Sequence, residues 1–412
     1  MGNIYTGIDL GTDSIKIVVA EKIKNKFHVL ASVNNKSLGI ENGEIIDTRK
    51  AVYSVREALD KISDLLGIRI NKTILAISPK NCSMDMSFAK DDVINSECIT
   101  GQDISNVIKK AIKEKINDEI ELVTAIPISF NIDNRENIKD PKGFSSNTLE
   151  TKLVLSTVSK EPLYRILEVL KLSGIEVVDI AYTSTGDYFT IKNKKTDSSV
   201  GAIINIGETS SNISIFNKGI QIKNSTIPVG SRNVDKDIAY IFKISETDAK
   251  KVKENFAVSM EEYADANDYT EIELESGSKK QITQIGATKV VRARCEEILK
   301  MAKKEIKNLT NRQISYIIVS GGLSELSGFQ YLVDEILGLK AKVCNINTIG
   351  IRNNKYSSVF GIIKYYDDKL SFREKDYNMI SDYDVKTMIS TDKKQINNEN
   401  ILGKMFGHFF DN

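Results

Sequence analysis

Residues 4–20 read IYTGIDLGTDSIKIVVA, and residues 200–216 read VGAIINIGETSSNISIF. Both run strand, turn, strand. Ile4–Asp9 is strand-like, Gly11-Thr12-Asp13 is turn chemistry, and Ile15–Ala20 is the returning strand. In the second copy Val200–Ile206 leads into Gly207 and a Thr/Ser turn, and Ile213–Phe216 returns. Asp9 and Asn205 stand at matching places, at an offset of 196 residues (205 less 9). A repeat so widely spaced predicts two lobes of related design, not a solenoid. A strand ending in carboxylate-x-Gly-Thr suits the phosphate tail of a nucleotide. Gly11 lets the backbone approach, and turn N–H groups and hydroxyls donate to phosphate oxygens. Asp9 at the strand end would bind Mg²⁺ through water. A lone D-x-G-T string is more often a plain β-turn. Its recurrence as Asn205-Ile206-Gly207, followed by Thr209, Ser210 and Ser211, favours the phosphate reading. A third piece, Ser320-Gly321-Gly322-Leu323-Ser324, follows the strand-like Ser315–Val319, where a backbone can pass close to an adenosine. Lys16, after the first turn, can pair with phosphates or be a plain strand lysine. The sequence has no G-x-x-x-x-G-K-[ST] P-loop.

Around these anchors, 412 residues predict two to four units, at ~100–200 residues each. Helical periodicity runs over Arg49–Leu66, Asp103–Ile116 and Pro162–Ser173. Lys80–Ser159 reads as an inserted subdomain of short strands and one helix. Asp235–Leu309 reads as mostly helical and polar, and Ser371–Asn398 as a linker with little apolar periodicity. Composition excludes much chemistry. Two histidines, His28 and His408, leave almost no material for a Ser-His-Asp triad or a multi-His metal site. The four cysteines form no C-x-x-C pair, and they read as small buried side chains in a reducing compartment. Lys+Arg of 57 against Asp+Glu of 56 argues against a global polyanion binder, and no nucleic-acid partner is expected. No run of eighteen apolar residues predicts a membrane span, and the N-terminus lacks the signature of a signal peptide. Candidate general bases lie between Asp179 and Asp187, but nothing in the spacing selects one.

The order phosphate-1, phosphate-2, Ser-Gly-Gly loop resembles the actin, Hsp70 and sugar-kinase superfamily. Finer motifs resemble the family of the bacterial cell-division protein FtsA. They are Gly39-Ile40-Glu41-Asn42-Gly43-Glu44-Ile45-Ile46-Asp47, Gly67-Ile68-Arg69-Ile70, Ile126-Pro127-Ile128-Ser129-Phe130 with Asp133, Ile138–Phe144, and Ile227-Pro228-Val229-Gly230 with Lys236-Asp237-Ile238-Ala239. The resemblance spans roughly residues 4–370 and resumes at the C-terminal tip. It implies an α/β, actin-like two-lobed ATPase fold with an inserted FtsA-type subdomain 1C and a C-terminal amphipathic helix. The implied division is a first-lobe core with phosphate-1 (1–79), subdomain 1C (80–159), the first lobe continued (160–195), and a second-lobe core with phosphate-2 (196–230). It continues with an outer subdomain (231–309), the second-lobe core with the adenosine loop (310–354), the first-lobe return (355–372), a flexible linker (373–397) and a membrane-targeting helix (398–412). The implied cofactors are ATP and Mg²⁺. The implied ATP site is Asp9, Gly11, Thr12, Asp13, Lys16, Asn205, Gly207, Ser210, Ser211, Lys253, Gly321, Gly322 and Leu323, with Asp9 on the metal. Departures stand out: Asn205 is an amide where the family carries a carboxylate, Glu208 replaces a small glycine, and Lys250 replaces a glutamate. Hydrolysis is therefore expected to be weak or slow.

The same resemblance implies partners. The acidic, hydrophobic tail of FtsZ, a tubulin-like GTPase, would meet Arg294, with Lys300 and Lys303, on the helical run Thr288–Ile306. The bland reading is a solvated charged face. Head-to-tail self-association and other division proteins are further implied partners, at the cytoplasmic face of the membrane. At the tip, Ile401, Leu402, Met405, Phe406, Phe409 and Phe410 share one half of a helical wheel at ~100° per residue, the pattern of a membrane-surface helix. Rival readings are a PilM-like adaptor of pilus machinery, a small-molecule kinase of the superfamily, and an Hsp70-type chaperone. Fewer than fifty residues follow Lys369, too few for a chaperone's substrate domain.

Overall fold

Alternating apolar residues in the opening hairpin build a sheet with both faces covered. β1 (Asn3–Leu10), β2 (Ser14–Ile23) and β3 (Lys26–Lys36) form an antiparallel meander. A two-residue ladder, β4 (Ile40–Glu41) and β5 (Glu44–Ile45), leads into helix α1 (Thr48–Leu66) and strand β6 (Lys72–Ile77). Asp47 caps α1 by accepting from the Lys50 amide at 3.0 Å, and Gly67, at φ 71°, ends it in the left-handed region. Its apolar stripe, Ala51, Val55, Ala58, Leu59 and Ile62, is buried on the sheet. Each large side chain so buried contributes ~1.5–3 kcal/mol. The computed structural model describes residues 2–133, 135–274, 276–372 and 375–389.

The insert follows: β7 (Cys82–Asp92), α2 (Gly101–Lys113), β8 (Ile120–Ile132), β9 (Arg135–Ile138) and β10 (Thr148–Ser159), in sheet order β7-β10-β8-β9. Its three main strands are long, not short as expected. Pro127 sits inside β8, where the register against β10 shifts between Lys152 and Leu153. A proline at a bulge survives in a strand, although in sequence it reads as a break. The chain then returns through α3 (Lys160–Leu172), β11 (Glu176–Tyr182) and α4 (Thr183–Ile191).

The second lobe repeats the first. β12 (Val200–Ile206), β13 (Ser211–Asn217) and β14 (Ile220–Ile227) form the meander. α5 (Ser231–Phe242), α6 (Glu246–Asn255), a hairpin of β15 (Tyr269–Glu273) and β16 (Lys279–Thr283), and α7 (Gln284–Leu309) come next. β17 (Tyr316–Ser320), α8 (Phe329–Leu337) and β18 (Ala341–Val343) complete it, and α9 (Ser357–Phe372) and α10 (Asp382–Ile389) return to pack on the first lobe. The sheets run β3-β2-β1-β6-β11 and β14-β13-β12-β17-β18, each an antiparallel meander extended by two parallel strands. The matched pairs β1/β12 and β2/β13 carry the sequence repeat, and β6 and β17 are their parallel neighbours.

Three findings adjust the expected divisions. The β15–β16 hairpin lies inside the stretch read as helical; its strands are charged, and only Ile282 is buried. The stretch 231–309 shares one core with its sheet, since Val291, Cys295, Ile298 and Ala302 of α7 pack in the same cluster as Ile213 and Ile215. The expected linker from 373 is in part docked. The Met379 amide donates to the Ile4 carbonyl at 3.1 Å, and Met379, Ile380 and Val385 are buried in the first-lobe core. Two anchors precede a short helix and one lies within it, too few and too irregularly spaced for periodicity to mark them.

Candidate functional site

The two hairpins meet across a cleft of about 680 Å³ between the lobes. In each, the turn closes identically: the Gly11 amide donates to the Ser14 carbonyl at 3.1 Å, and the Gly207 amide to the Ser210 carbonyl at 3.0 Å. The amides of Thr12, Asp13, Glu208 and Thr209 make no hydrogen bond within the described residues. Such free turn amides form an anion-binding concavity. The third wall is Gly321-Gly322. Gly321, at φ 96°, presses on the Ile206 carbonyl, while a Cβ on Gly322 would meet nothing within 4 Å and would project into open space.

Of the expected ATP residues, Asp9, Gly11, Thr12, Asp13, Lys16, Asn205, Gly207, Ser210, Lys253, Gly321, Gly322 and Leu323 line this cleft. Ser211 does not. It is the first residue of β13, fully buried, and its hydroxyl donates to the Val229 carbonyl at 2.7 Å. Strand alternation turns it away, leaving Thr209 and Ser210 as the cleft hydroxyls. Lys16 pairs with Asp9 at 3.1 Å. Lys253 is committed to Asp235 at 2.8 Å in a buried pair beneath the start of α5. Burial pushes the Asp235 carboxyl up, against the pull of Lys253. Lys250, of α6, bridges the cleft to Asp13 of the first hairpin. Burial alone would lower its ammonium, but the Asp13 hydrogen bond and the charges of Glu208, Asp13 and Glu254 hold it above the usual lysine range.

Behind Asn205 lies an acid that spacing could not select. Asp187, in α4, is buried, with Oδ2 accepting from Asn205 Nδ2 at 2.6 Å and Oδ1 accepting from the Ser357 hydroxyl and from Ser358 Oγ at 2.9 Å. Burial pushes its carboxyl up, opposed by the donors of Asn205, Ser357, Ser358 and Ser320. The other acid bounding the candidate stretch, Asp179, is tied to Lys369 at 2.7 Å. The crossing of α4 and α9 beside Asp187 is made glycine to glycine, at Gly186 and Gly361.

The donor set fits a nucleotide tail: free amides and hydroxyls on two sides, a glycine wall on the third, and Asp9 at a strand end. Among the described residues no group of three His, Cys, Asp or Glu side chains could hold a metal ion by itself. A cation here would share Asp9 with phosphate oxygens and water.

The three expected partner cations do not converge. Arg294 makes a bidentate pair with Asp237 of α5 at 2.6 and 3.0 Å, and Lys303 donates to the Ile336 carbonyl of α8 at 2.5 Å. Nine residues at ~100° put them on opposite faces of α7. Lys300 pairs with Glu296, one turn back. On α5, the helix that carries Arg294's partner Asp237, Tyr240 and Ile241 are exposed. The expected membrane residues Ile401, Leu402, Met405, Phe406, Phe409 and Phe410 lie outside the described residues. Among the described residues no helix is long and apolar enough to cross a membrane.

The family model "Cell division protein FtsA" matches residues 202–361, and "SHS2 domain inserted in FTSA" matches residues 81–157, the insert sheet and its helix. The chain is 27% identical over 365 residues to the cell division protein FtsA of Bacillus subtilis, covering 88% of this chain and 83% of that protein. Among solved structures, the PilM-PilN type IV pilus biogenesis complex superposes with TM-score 0.61 at 12% identity, over 87% of this chain and 96% of that one. MreB5 of Spiroplasma citri bound to ADP superposes with TM-score 0.55 at 12% identity, over 91% and 99%. These two likenesses carry the fold alone, the two-lobed actin-like fold, and the family model carries its insert.

Proposed function

We propose, from the premise that this chain belongs to the FtsA family of cell-division proteins, that it is an ATP-binding scaffold of the division site. It polymerises head to tail on the inner face of the cytoplasmic membrane and tethers the FtsZ ring there. ATP occupies the interlobe cleft, its phosphates against the turn amides of both hairpins and its adenosine against Gly321-Gly322. Mg²⁺, held near Asp9, supplies neutralisation of phosphate charge. The observation that supports this best is the matched pair of hairpins, closed alike and leaving their tip amides free on one cleft. Slow turnover, well below ~10 s⁻¹, follows from an amide at Asn205 and a buried acid behind it. The FtsZ tail would lie along α5 and α7 near Arg294, Tyr240 and Ile241, where apolar surface adjoins a cation.

Calorimetry with ATP and Mg²⁺ tests the cleft. Asp9→Ala should weaken binding about tenfold, the worth of a charge-assisted contact. Gly322→Val should weaken it further by filling the space that adenosine needs. Unchanged affinity in both variants would remove the assignment.

Binding to the membrane rests on residues 398–412. Three phenylalanines on one half of a wheel contribute up to ~1.5–3 kcal/mol each when fully buried, and less when shallow. Phe406→Glu/Phe409→Glu should abolish co-sedimentation of the full chain with liposomes. Equal pelleting of variant and parent would sink the anchor.

A further inference from the structure

We infer that Asp187 is the carboxylate of the second hairpin's phosphate site, set one layer behind the cleft, a positioning residue that acts on the nucleotide site through Asn205. The inference rests on the ATP reading above and adds a residue to that site. In the first hairpin the acid, Asp9, faces the cleft directly and carries Lys16 as its partner across the strand pair. At the matching register of the second hairpin stands Asn205, opposite Asn212 where the first hairpin has Lys16. The acid has moved one layer back. Asp187 does not line the cleft, yet it touches the side chain that does.

An asparagine amide has two donor hydrogens on nitrogen and one acceptor oxygen. Both donors of Asn205 are turned inward, to Asp187 Oδ2 at 2.6 Å and to Ser358 Oγ at 3.2 Å. No hydrogen bond from the described residues reaches Asn205 Oδ1, and the residue lines the cleft. The buried acid thus decides which way the amide faces. It leaves an acceptor, not a donor, for the cleft. An acceptor polarised by a carboxylate behind it is suited to hold water whose hydrogens carry added positive charge, as on a cation bound at nucleotide phosphates.

A purely structural role accounts poorly for Asp187. Burying an acid without a cation costs free energy, and the neighbouring helix crossing needs only small side chains. Here the donors converge from two other elements: Asn205 from β12, and Ser357 and Ser358 from α9. No cation of the described residues contributes to its surroundings.

The test moves the carboxylate. Full-length chain carrying Asp187→Asn, Asn205→Asp or Asn205→Asp/Asp187→Asn is titrated with ATP by calorimetry, once with Mg²⁺ and once with EDTA, and melted without ligand. The parent should bind more tightly with Mg²⁺ than with EDTA. Asp187→Asn should lose about tenfold of that gain, one charge-assisted hydrogen bond, with affinity in EDTA unchanged. Asn205→Asp alone should lower the melting temperature, since it sets two carboxylates face to face. The double variant should restore the gain to within about threefold, because the new amide at 187 donates to the new carboxylate at 205. The inference falls if Asp187→Asn keeps the full gain, or loses affinity equally in Mg²⁺ and EDTA. It also falls if the double variant stays as poor as Asp187→Asn or fails to fold. A parent that binds no ATP under either condition overturns the ATP reading itself, a result distinct from these.

Discussion

Gly361→Ala should destabilise the chain by at least about 3 kcal/mol, because the methyl group has nowhere to go. A Cβ at Gly361 would stand 1.7 Å from the Gly186 carbonyl oxygen and 2.7 Å from Thr190 Oγ1. The reciprocal position is equally tight, with a Gly186 Cβ at 2.0 Å from the Ser358 carbonyl oxygen. These neighbours are largely backbone, so no rotamer change relieves the contact. Ordinary contact would require α4 and α9 to separate by more than an ångström, in an interior packed as densely as a crystal. Separation would also draw Ser358 away from Asp187. Gly101→Ala is the control. It stands at the start of α2 with no atom within 4 Å of its Cβ position, and should change stability by less than about 0.5 kcal/mol. Urea unfolding followed by circular dichroism measures both; equal midpoints would mean that the crossing can spread without cost.

Lys253→Met should cost about 3–5 kcal/mol, because it leaves the Asp235 carboxyl buried without its cation. The pair is 2.8 Å apart, with side chains only 4% and 3% exposed. Converting both residues, as Lys253→Met/Asp235→Leu, should recover most of the loss. The deficit has a pH signature. Burial already raises Asp235 in the parent against the pull of Lys253, and removing the lysine raises it further. A carboxyl whose folded pKa lies above its unfolded value, near ~4, is held at no penalty below that value. As pH rises, the unfolded chain releases a proton that the folded chain retains, so stability falls. The variant's shortfall should therefore be small near about pH 4 and largest at neutral pH. Denaturation midpoints across that range decide it, and a shortfall that shrinks with rising pH would mean that another cation reaches Asp235.

The features legible in the sequence were local ones. The hairpins announced themselves through period-two apolar runs around a glycine turn, and their residues sit where the chain reverses, so strand, turn and cleft were read together. Ser211 failed on a one-residue matter: it and Ser210 are neighbours in sequence, but strand alternation sends them to opposite sides. Asp187 was invisible for another reason. Its partners Asn205, Ser357 and Ser358 come from other elements, up to 171 residues away, and no local pattern marks a buried acid. The resemblance implies Lys253 as a nucleotide contact and marks Lys250 as a departure from a glutamate, whereas each is held by an acid, Asp13 across the cleft and Asp235 beneath it. Arg294 and Lys303 looked like one patch along a charged helix until the rotation of that helix divided them.

The docking of residues 376–389 fixes how the body takes mechanical load. Lys72 Nζ donates to the Tyr377 hydroxyl at 2.9 Å, the Ile4 amide donates to Asn378 at 3.2 Å, and the Met379 amide holds the Ile4 carbonyl at 3.1 Å. Ile380 and Val385 are wedged into the core beneath α1. A pull applied beyond residue 389 therefore enters through the first-lobe sheet, along β1 and β6. The second lobe lies off that path, and the first bears the tension.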